Sequence, residues 1–162
     1  MELIGGELVV SPTPDLRHSD AIDELTDLLT EVKRLHRWRI HTNATIHISA
    51  TRERLMPDLA VAPRDAARFS AWELISASVL LAAEMVSPSS QRRARAEKPR
   101  AYAQGGVPLY LLIDKFASPP AVTLFSEPGD NGYGRRQTAT AGRSLELPEP
   151  FGITVDAASL LS

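Results

Sequence analysis

Two acidic residues lie at the ends of apolar segments, where a carboxylate has little access to water. Asp58 follows Pro57 in the segment PDLAVA, and Glu84 lies near the end of the segment VLLAAEMV. Because apolar surroundings disfavour an isolated charge, each carboxylate needs a proton, a cation or strong hydrogen bonds. Two such carboxylates brought together are typical ligands of a hard divalent cation. The sequence therefore predicts a metal site that contains Asp58 and Glu84.

The two segments that carry these acids are predicted to be buried strands. Alternation places Asp58 and Ala60 on one face of the first strand, and Ala82 and Glu84 on one face of the second. If the strands are neighbours, the two carboxylates lie about 5 Å apart and can bind one ion. The backbone carbonyl of Met85 is a further candidate metal ligand.

The rest of the chain predicts an α/β fold with a mixed central sheet and few helices. A Gly5-Gly6 turn predicts an N-terminal hairpin, and apolar residues at helical spacing predict a helix that begins after Asp15 or Ser19 and ends near His36. Pro99 is expected to kink or restart a second helix. This second helix is predicted over residues 89–104, and strands are predicted over 38–42, 44–49, 57–62, 79–86 and 109–114. A C-terminal hairpin is predicted over 122–140. The predicted connections are a break over 11–14, a polar connection over 52–55 and a loop over 63–77 with one helical turn.

The composition is that of an ordinary globular protein, and we expect one domain over residues 1–162. Hydrophobic residues make up 43% of the chain and charged residues 23%, the net charge is −2, and cysteine is absent. Disulfides and thiolate metal sites are therefore excluded. No apolar run reaches the roughly 18 residues of a membrane span. The N-terminal segment lacks the basic region of a signal peptide, so a cytoplasmic protein is expected.

Basic residues are concentrated in the predicted helix that follows Glu84. Arg92, Arg93 and Arg95 lie in the segment QRRARAEKPR, and His18 opens the first predicted helix. A local basic cluster can contact phosphate even when the net charge is slightly negative. These residues are candidate nucleic-acid contacts, although the arginines are also consistent with an ordinary solvated helix face.

The carboxylate pair resembles the metal site of the PD-(D/E)XK nuclease superfamily, in which a lysine follows two residues after the Glu. Val86 stands at that position here. Longer segments resemble the Uma2 (DUF820-type) family, a bacterial group placed in this superfamily; they are ELIGGELVVSPTPDLRH, PDLAV, EMVSPSSQRRARAEKPRAYAQGGVPLYLLID and LPEPFGITVD. The resemblance implies a restriction-endonuclease-like fold. It also implies that the lysine has moved to the following helix, at Lys98, and that Ala94 replaces an acidic residue that is common in the family.

The resemblance implies a Mg²⁺- or Mn²⁺-dependent endonuclease that hydrolyses the phosphodiester bonds of nucleic acid, with DNA as the expected partner. Asp58 and Glu84 would hold the metal, and Lys98 would assist the attacking water. Glu7, on the N-terminal hairpin, is the best candidate for a third carboxylate. A homodimer is a reasonable expectation because duplex DNA has two strands to cut.

Two alternatives remain open. Val86, Ala94 and the acidic isoelectric point favour a catalytically inactive module that keeps the nuclease fold and binds nucleic acid or another partner. The other alternative is a structural subunit that dimerises through an exposed strand edge near residues 120–140.

Overall fold

The computed structural model describes residues 1–10 and 15–162, so the break predicted over residues 11–14 lies outside the described residues. The helices are α1 (Leu16–His36), α2 (Lys98–Gln104) and α3 (Ala157–Leu161). The strands are β1 (Glu2–Ile4), β2 (Glu7–Val9), β3 (Trp38–Thr42), β4 (Thr45–Ile48), β5 (Glu53–Leu55), β6 (Leu59–Pro63), β7 (Glu73–Ile75), β8 (Leu81–Met85), β9 (Leu109–Asp114), β10 (Ala121–Gly129), β11 (Gly132–Thr140), β12 (Ser144–Leu147) and β13 (Ile153–Asp156).

The central element is a six-stranded sheet in the order β11-β10-β9-β8-β6-β3. Strands β8 and β9 are parallel, and the other neighbours in this sheet are antiparallel. The N-terminal hairpin belongs to a second sheet in the order β2-β1-β5-β4-β7, and β12 pairs with β13. The predicted α/β fold with a mixed central sheet is confirmed. No helix in the described ranges is long and apolar enough to cross a membrane.

Each face of the six-stranded sheet has its own apolar core, because successive side chains on a strand point to opposite faces. Leu59 and Val61 of β6 pack in a cluster with Leu25 and Leu29 of α1. The intervening residues, of which Ala60 is one, join a second cluster between this sheet, α2 and the five-stranded sheet. Helix α1 is held in place at its start by Asp15, whose side chain accepts a hydrogen bond from the backbone N–H of His18 at 2.9 Å.

The helical segment after β8 restarts as α2 at Lys98, next to Pro99, and the turn that precedes this restart is irregular. Residues Arg93–Glu97 form a π-helical turn that leads directly into α2, and the N–H of Lys98 bonds to the carbonyl of Arg93, five residues earlier. Pro99 has no N–H to continue this pattern to the carbonyl of Ala94. The buried hydroxyl of Tyr110 donates to that carbonyl instead, at 3.0 Å. A π-turn adds one residue to the helix and therefore rotates everything after it by about 100° relative to a regular helix.

Three other segments correct the prediction. The polar connection expected over 52–55 is strand β5, which pairs with β4 and β1. The helical turn expected within 63–77 is strand β7, which pairs in parallel with β4. The helix α3 near the C-terminus was not predicted. Both missed strands are three residues long, too short to display the alternation by which strands are recognised.

Candidate active site

Asp58 and Glu84 face each other across two neighbouring strands. Leu59 pairs with Ala83 and Ala60 with Ala82, so the next antiparallel position places Asp58 opposite Glu84. The backbone N–H of Met85 donates to Asp58 Oδ2 at 2.8 Å, which fixes the carboxylate against β8. The two acids therefore lie on the same face of the sheet, as the strand alternation predicts.

Lys98 reaches the same place from the helical side. Its Nζ lies 2.6 Å from Glu84 Oε2 and 2.9 Å from Glu2 Oε1. The hydroxyl of Tyr102, one turn further along α2, donates to the other Glu84 oxygen at 3.1 Å. Glu2 in turn accepts a hydrogen bond from the backbone N–H of Met56 at 2.7 Å. One ammonium thus joins a carboxylate from each of the two large sheets.

These groups perturb one another because they are removed from water. Burial raises the pKa of Glu84 to about 7, against the opposite effect of the Lys98 ammonium, and the charges of Asp58 and Glu2 add to the rise. Burial lowers the pKa of Lys98, but the Glu84 and Glu2 carboxylates outweigh it and leave the pKa above its ordinary value. Burial also raises the pKa of Tyr102 well above its ordinary value. At neutral pH Lys98 is a cation and Tyr102 is a neutral hydrogen-bond donor.

His18 supplies a second basic group on the side of Asp58. Its Nε2 lies 2.9 Å from Asp58 Oδ1. Contact with this carboxylate raises the pKa of His18, although burial acts in the opposite direction. The short contact between the two side chains contributes most to this rise, and the charge of Asp58 adds to it. Asp58 therefore accepts the Met85 N–H at Oδ2 and contacts His18 at Oδ1.

The cluster of Glu2, His18, Asp58, Glu84 and Lys98 lies at a cleft of about 800 Å³. Its wall combines the acidic and basic residues just described with the backbone and serines of the turn after β8. Lining residues outside the carboxylate cluster include Arg17, Asn43, Ser87, Ser90 and Lys115. A cleft with converging titratable groups of perturbed pKa is the usual setting of catalysis.

Several predicted site residues lie elsewhere. Glu7 is exposed and is not part of the cleft wall, because the hairpin pairs it with Ile4 beside the turn. Glu2 occupies the opposite end of that hairpin, roughly 7 Å away along the strand, and is the hairpin carboxylate that enters the site. Alternation in the sequence could not separate the two acids, because each lies two residues from a buried apolar residue, Ile4 for Glu2 and Val9 for Glu7.

The predicted basic cluster also lies outside the cleft wall. Arg92 pairs with Glu97 at 2.6 Å, and Arg95 binds both oxygens of Asp114 at 2.7 and 3.1 Å. Arg93 donates to the backbone carbonyl of Ser89 at 3.0 Å. Each of the three guanidinium groups already has an acceptor within the chain.

The donor set is compatible with a divalent cation of the Mg²⁺ type. No cluster of three or more acidic or histidine side chains forms a ready metal cage within residues 1–10 and 15–162. Mg²⁺, however, commonly binds through one or two carboxylates and completes its coordination with water and substrate phosphate. Asp58 and Glu84, directly opposed at a cleft, meet that requirement. His18 contacts Asp58 Oδ1, and Lys98 and Tyr102 donate to the two oxygens of Glu84, so a bound cation would have to replace some of these contacts.

The fold is that of a restriction-endonuclease-like α/β protein. It is similar to the crystal structure of a protein from Anabaena variabilis ATCC 29413 described as "a putative nuclease belonging to DUF820", with a TM-score of 0.75 and 16% identity over 99% of this chain and 88% of that one. The family model Uma2, described as "Putative restriction endonuclease", matches residues 1–158. The chain belongs to the Uma2 family. A comparison with curated proteins found no match.

Proposed function

We propose that the protein is a Mg²⁺- or Mn²⁺-dependent endonuclease whose active site contains Asp58, Glu84 and Lys98. The observation that carries the proposal is the opposition of Asp58 and Glu84 in the strand register, with the Lys98 ammonium 2.6 Å from Glu84 at the same cleft. Membership of the Uma2 family supports a nuclease activity. DNA is the expected substrate.

Asp58 and Glu84 would hold the cation, with the Met85 carbonyl as the further ligand that the sequence suggests. The chemistry that such an ion supplies when bound is polarisation of a phosphate and activation of water. A bound cation also offsets the cost of ionising Glu84, whose pKa of about 7 reflects its burial.

Lys98 is suited to a direct part in the reaction. An ammonium has three donors, and two of them are directed to Glu84 and Glu2. The third donor can orient a water molecule or bind a phosphate oxygen, since Lys98 lines the cleft. His18, which contacts Asp58 through Nε2, would accept the proton that the attacking water releases. The Lys98 ammonium would offset the negative charge that develops on the phosphate.

A binding module without turnover is the second candidate, and one observation favours it. Both oxygens of Glu84 already have protein partners, namely Lys98 and Tyr102. In such a module the cluster would only hold α2 against the sheets, and nucleic acid would bind without being cut.

The test combines metal binding with cleavage. Calorimetry with Mg²⁺ and Mn²⁺ and a cleavage assay on single-stranded DNA, duplex DNA and RNA are carried out on the wild type, Asp58→Asn and Glu7→Gln. We expect Asp58→Asn to lose both metal binding and cleavage, and Glu7→Gln to keep both because Glu7 is exposed outside the cleft. Absence of divalent-metal binding by the wild type would refute the enzyme. Metal binding without cleavage of any substrate would favour the binding module.

The expected homodimer is checked separately by light scattering of the wild type. A dimer that persists at high salt would be consistent with a paired nuclease. A monomer would mean that one chain carries the whole cleft.

A further inference from the structure

The outer strand of the six-stranded sheet, β3, carries basic side chains on the face that holds the carboxylates. Arg39 pairs with Ala62, and His41 pairs with Ala60. Directly opposed residues share a face, so Arg39 and His41 lie on the face of Asp58. The intervening residue Ile40 packs against the α1 core on the other face.

This row of side chains leads into the cleft. Thr42 pairs with Leu59, so the next position places Asn43 beside Asp58, and Asn43 lines the cleft. At about 3.3 Å per residue, Arg39 lies roughly 13 Å from Asn43 along the strand. That length corresponds to about four base pairs of duplex DNA at 3.4 Å each.

Arg68 adds a second guanidinium to this row. It is exposed in the connection between β6 and β7. That connection leaves β6 at Pro63, which pairs with Trp38, the neighbour of Arg39 on β3. The charges of Arg68 and Arg39 both add to burial in lowering the pKa of His41. Acidic side chains do not appear among the groups that perturb His41 in the described part of the chain.

Arg39 and Arg68 differ from Arg92 and Arg95, in the segment after β8, in having no carboxylate partner within the described residues. Arg92 and Arg95 each form an ion pair with an acid, whereas no ion pair to Arg39 or Arg68 is found within residues 1–10 and 15–162. A guanidinium without a partner retains its full set of donors, and its planar fork matches the geometry of a phosphate.

We propose that Arg39 and Arg68 form a basic track along β3, on which the phosphate backbone of a nucleic-acid strand lies as it leaves the cleft. The inference rests on the proposed nuclease or nucleic-acid-binding function of the cleft. The positive charges of Arg39 and Arg68 complement the negative charge of a phosphate backbone, which favours nucleic acid on this surface. Because β3 is an edge strand, pairing with a second copy of the chain is the competing outcome.

The experiment measures the binding of fluorescein-labelled single-stranded and duplex DNA by anisotropy in EDTA, so that no substrate is cut. The proteins are the wild type, Arg39→Ala, Arg68→Ala, the double variant and the control Arg92→Ala. Between about 50 and 200 mM salt, each track substitution is expected to reduce the slope of log K against log salt by about 0.7 for single strands or 0.9 for duplex. The control is expected to leave the slope unchanged.

Length dependence of duplex binding sharpens the same measurement. A duplex that extends less than about four base pairs beyond the cleft cannot reach Arg39, so the effect of Arg39→Ala should appear only above that length. Unchanged slopes in the double variant would overturn the track, as would a larger effect of Arg92→Ala. Loss of a dimer without a change in DNA affinity would assign the edge to a second copy and also overturn it.

The failure of this inference can be told apart from the failure of the proposed function. Cleavage with Mg²⁺ and its loss in Asp58→Asn depend on the carboxylate cluster and not on the track. A protein that cuts DNA and binds it equally well without Arg39 and Arg68 retains the proposed function and has no track.

Discussion

The two faces of the six-stranded sheet are built from the same strands but have different contents. The face under α1 is closed by large apolar side chains such as Leu25, Leu59 and Leu81, all fully buried. The opposite face has alanines at the positions next to the carboxylates, and it buries Glu84 and Lys98 beside them. Alternation along β6 and β8 therefore separates a purely apolar core from a core that contains charges.

This difference indicates which face stabilises the molecule and which face performs the chemistry. A buried ion pair contributes little net stability, because removing two charges from water offsets most of their attraction. Burial of apolar side chains contributes about 25 cal/mol per Å² without such an opposing cost. The α1 face can therefore support the charged face, where small side chains leave room for Lys98 and Tyr102 to reach Glu84.

The largest effect is expected from Lys98→Met, which breaks the charged face. The substitution leaves Glu84 and Glu2 buried without their shared cation. Removal of one partner from a buried pair costs about 3–5 kcal/mol of unfolding free energy. Urea denaturation at pH 8 measures the loss, with Lys33→Met on α1 as the matched control.

A second variant identifies the cause of that loss. In Lys98→Met combined with Glu84→Gln, one of the two uncompensated carboxylates is gone, so much of the stability should return. If the double variant is as unstable as Lys98→Met alone, the lost methylene packing of Lys98 matters more than its charge, and the contrast between the two faces is weaker than described.

Leu25→Ala tests the apolar face. Leu25 is fully buried in the α1 core, and truncation of such a leucine costs about 2–5 kcal/mol. Because Leu25 does not line the cleft and lies about 10 Å along α1 from His18, the folded fraction should bind Mg²⁺ with wild-type affinity. Calorimetry on this variant checks the separation, and a large loss of metal affinity would show that the two faces are coupled.

The pH dependence of stability distinguishes the faces without changing the apolar core. The pKa of Glu84 is raised from 4.5 to about 7 in the folded state, so the native protein binds more protons than the unfolded chain between these values. Stability should therefore fall as pH rises from about 4.5 to 7, by roughly 3 kcal/mol. His18 acts in the same direction at higher pH, since its raised pKa gives stability that is lost as pH rises through the folded value.

Glu84→Gln removes the Glu84 contribution, so the difference between wild type and variant isolates it from all other titrations. Denaturant midpoints across this pH range provide the measurement. A constant difference between the two proteins would mean that Glu84 titrates normally.

Much of this architecture was predictable because its signals are local. Helix α1 has apolar residues at helical spacing and a capping aspartate, and β9 is a continuous apolar run. The opposition of Asp58 and Glu84 followed from alternation once β6 and β8 were taken as neighbours. Each of these inferences needs only one element or one pair of strands.

The remaining features depend on tertiary context. Strands β5 and β7 have three residues each and exist because β4 pairs with both of them. The π-turn at Arg93–Glu97 depends on Tyr110, a residue of another element, which bonds to the carbonyl that Pro99 leaves free. Pro99 alone predicted a kink or a restart of the helix, and only the neighbouring strand determines which irregularity forms.

The smallest predicted effect compares the two carboxylates of the N-terminal hairpin, of which sequence reasoning favoured Glu7. Glu2→Gln removes a charge that pairs with Lys98 at 2.9 Å and weakens the acceptor of the Met56 N–H. Leaving part of that buried cluster unsatisfied should cost about 1–3 kcal/mol. Glu7→Gln changes an exposed side chain beside the turn and should stay within about 0.5 kcal/mol of the wild type. The urea midpoints of the two variants measure these losses of stability. An equal loss of stability in both variants would indicate that Glu7 also belongs to the charged cluster.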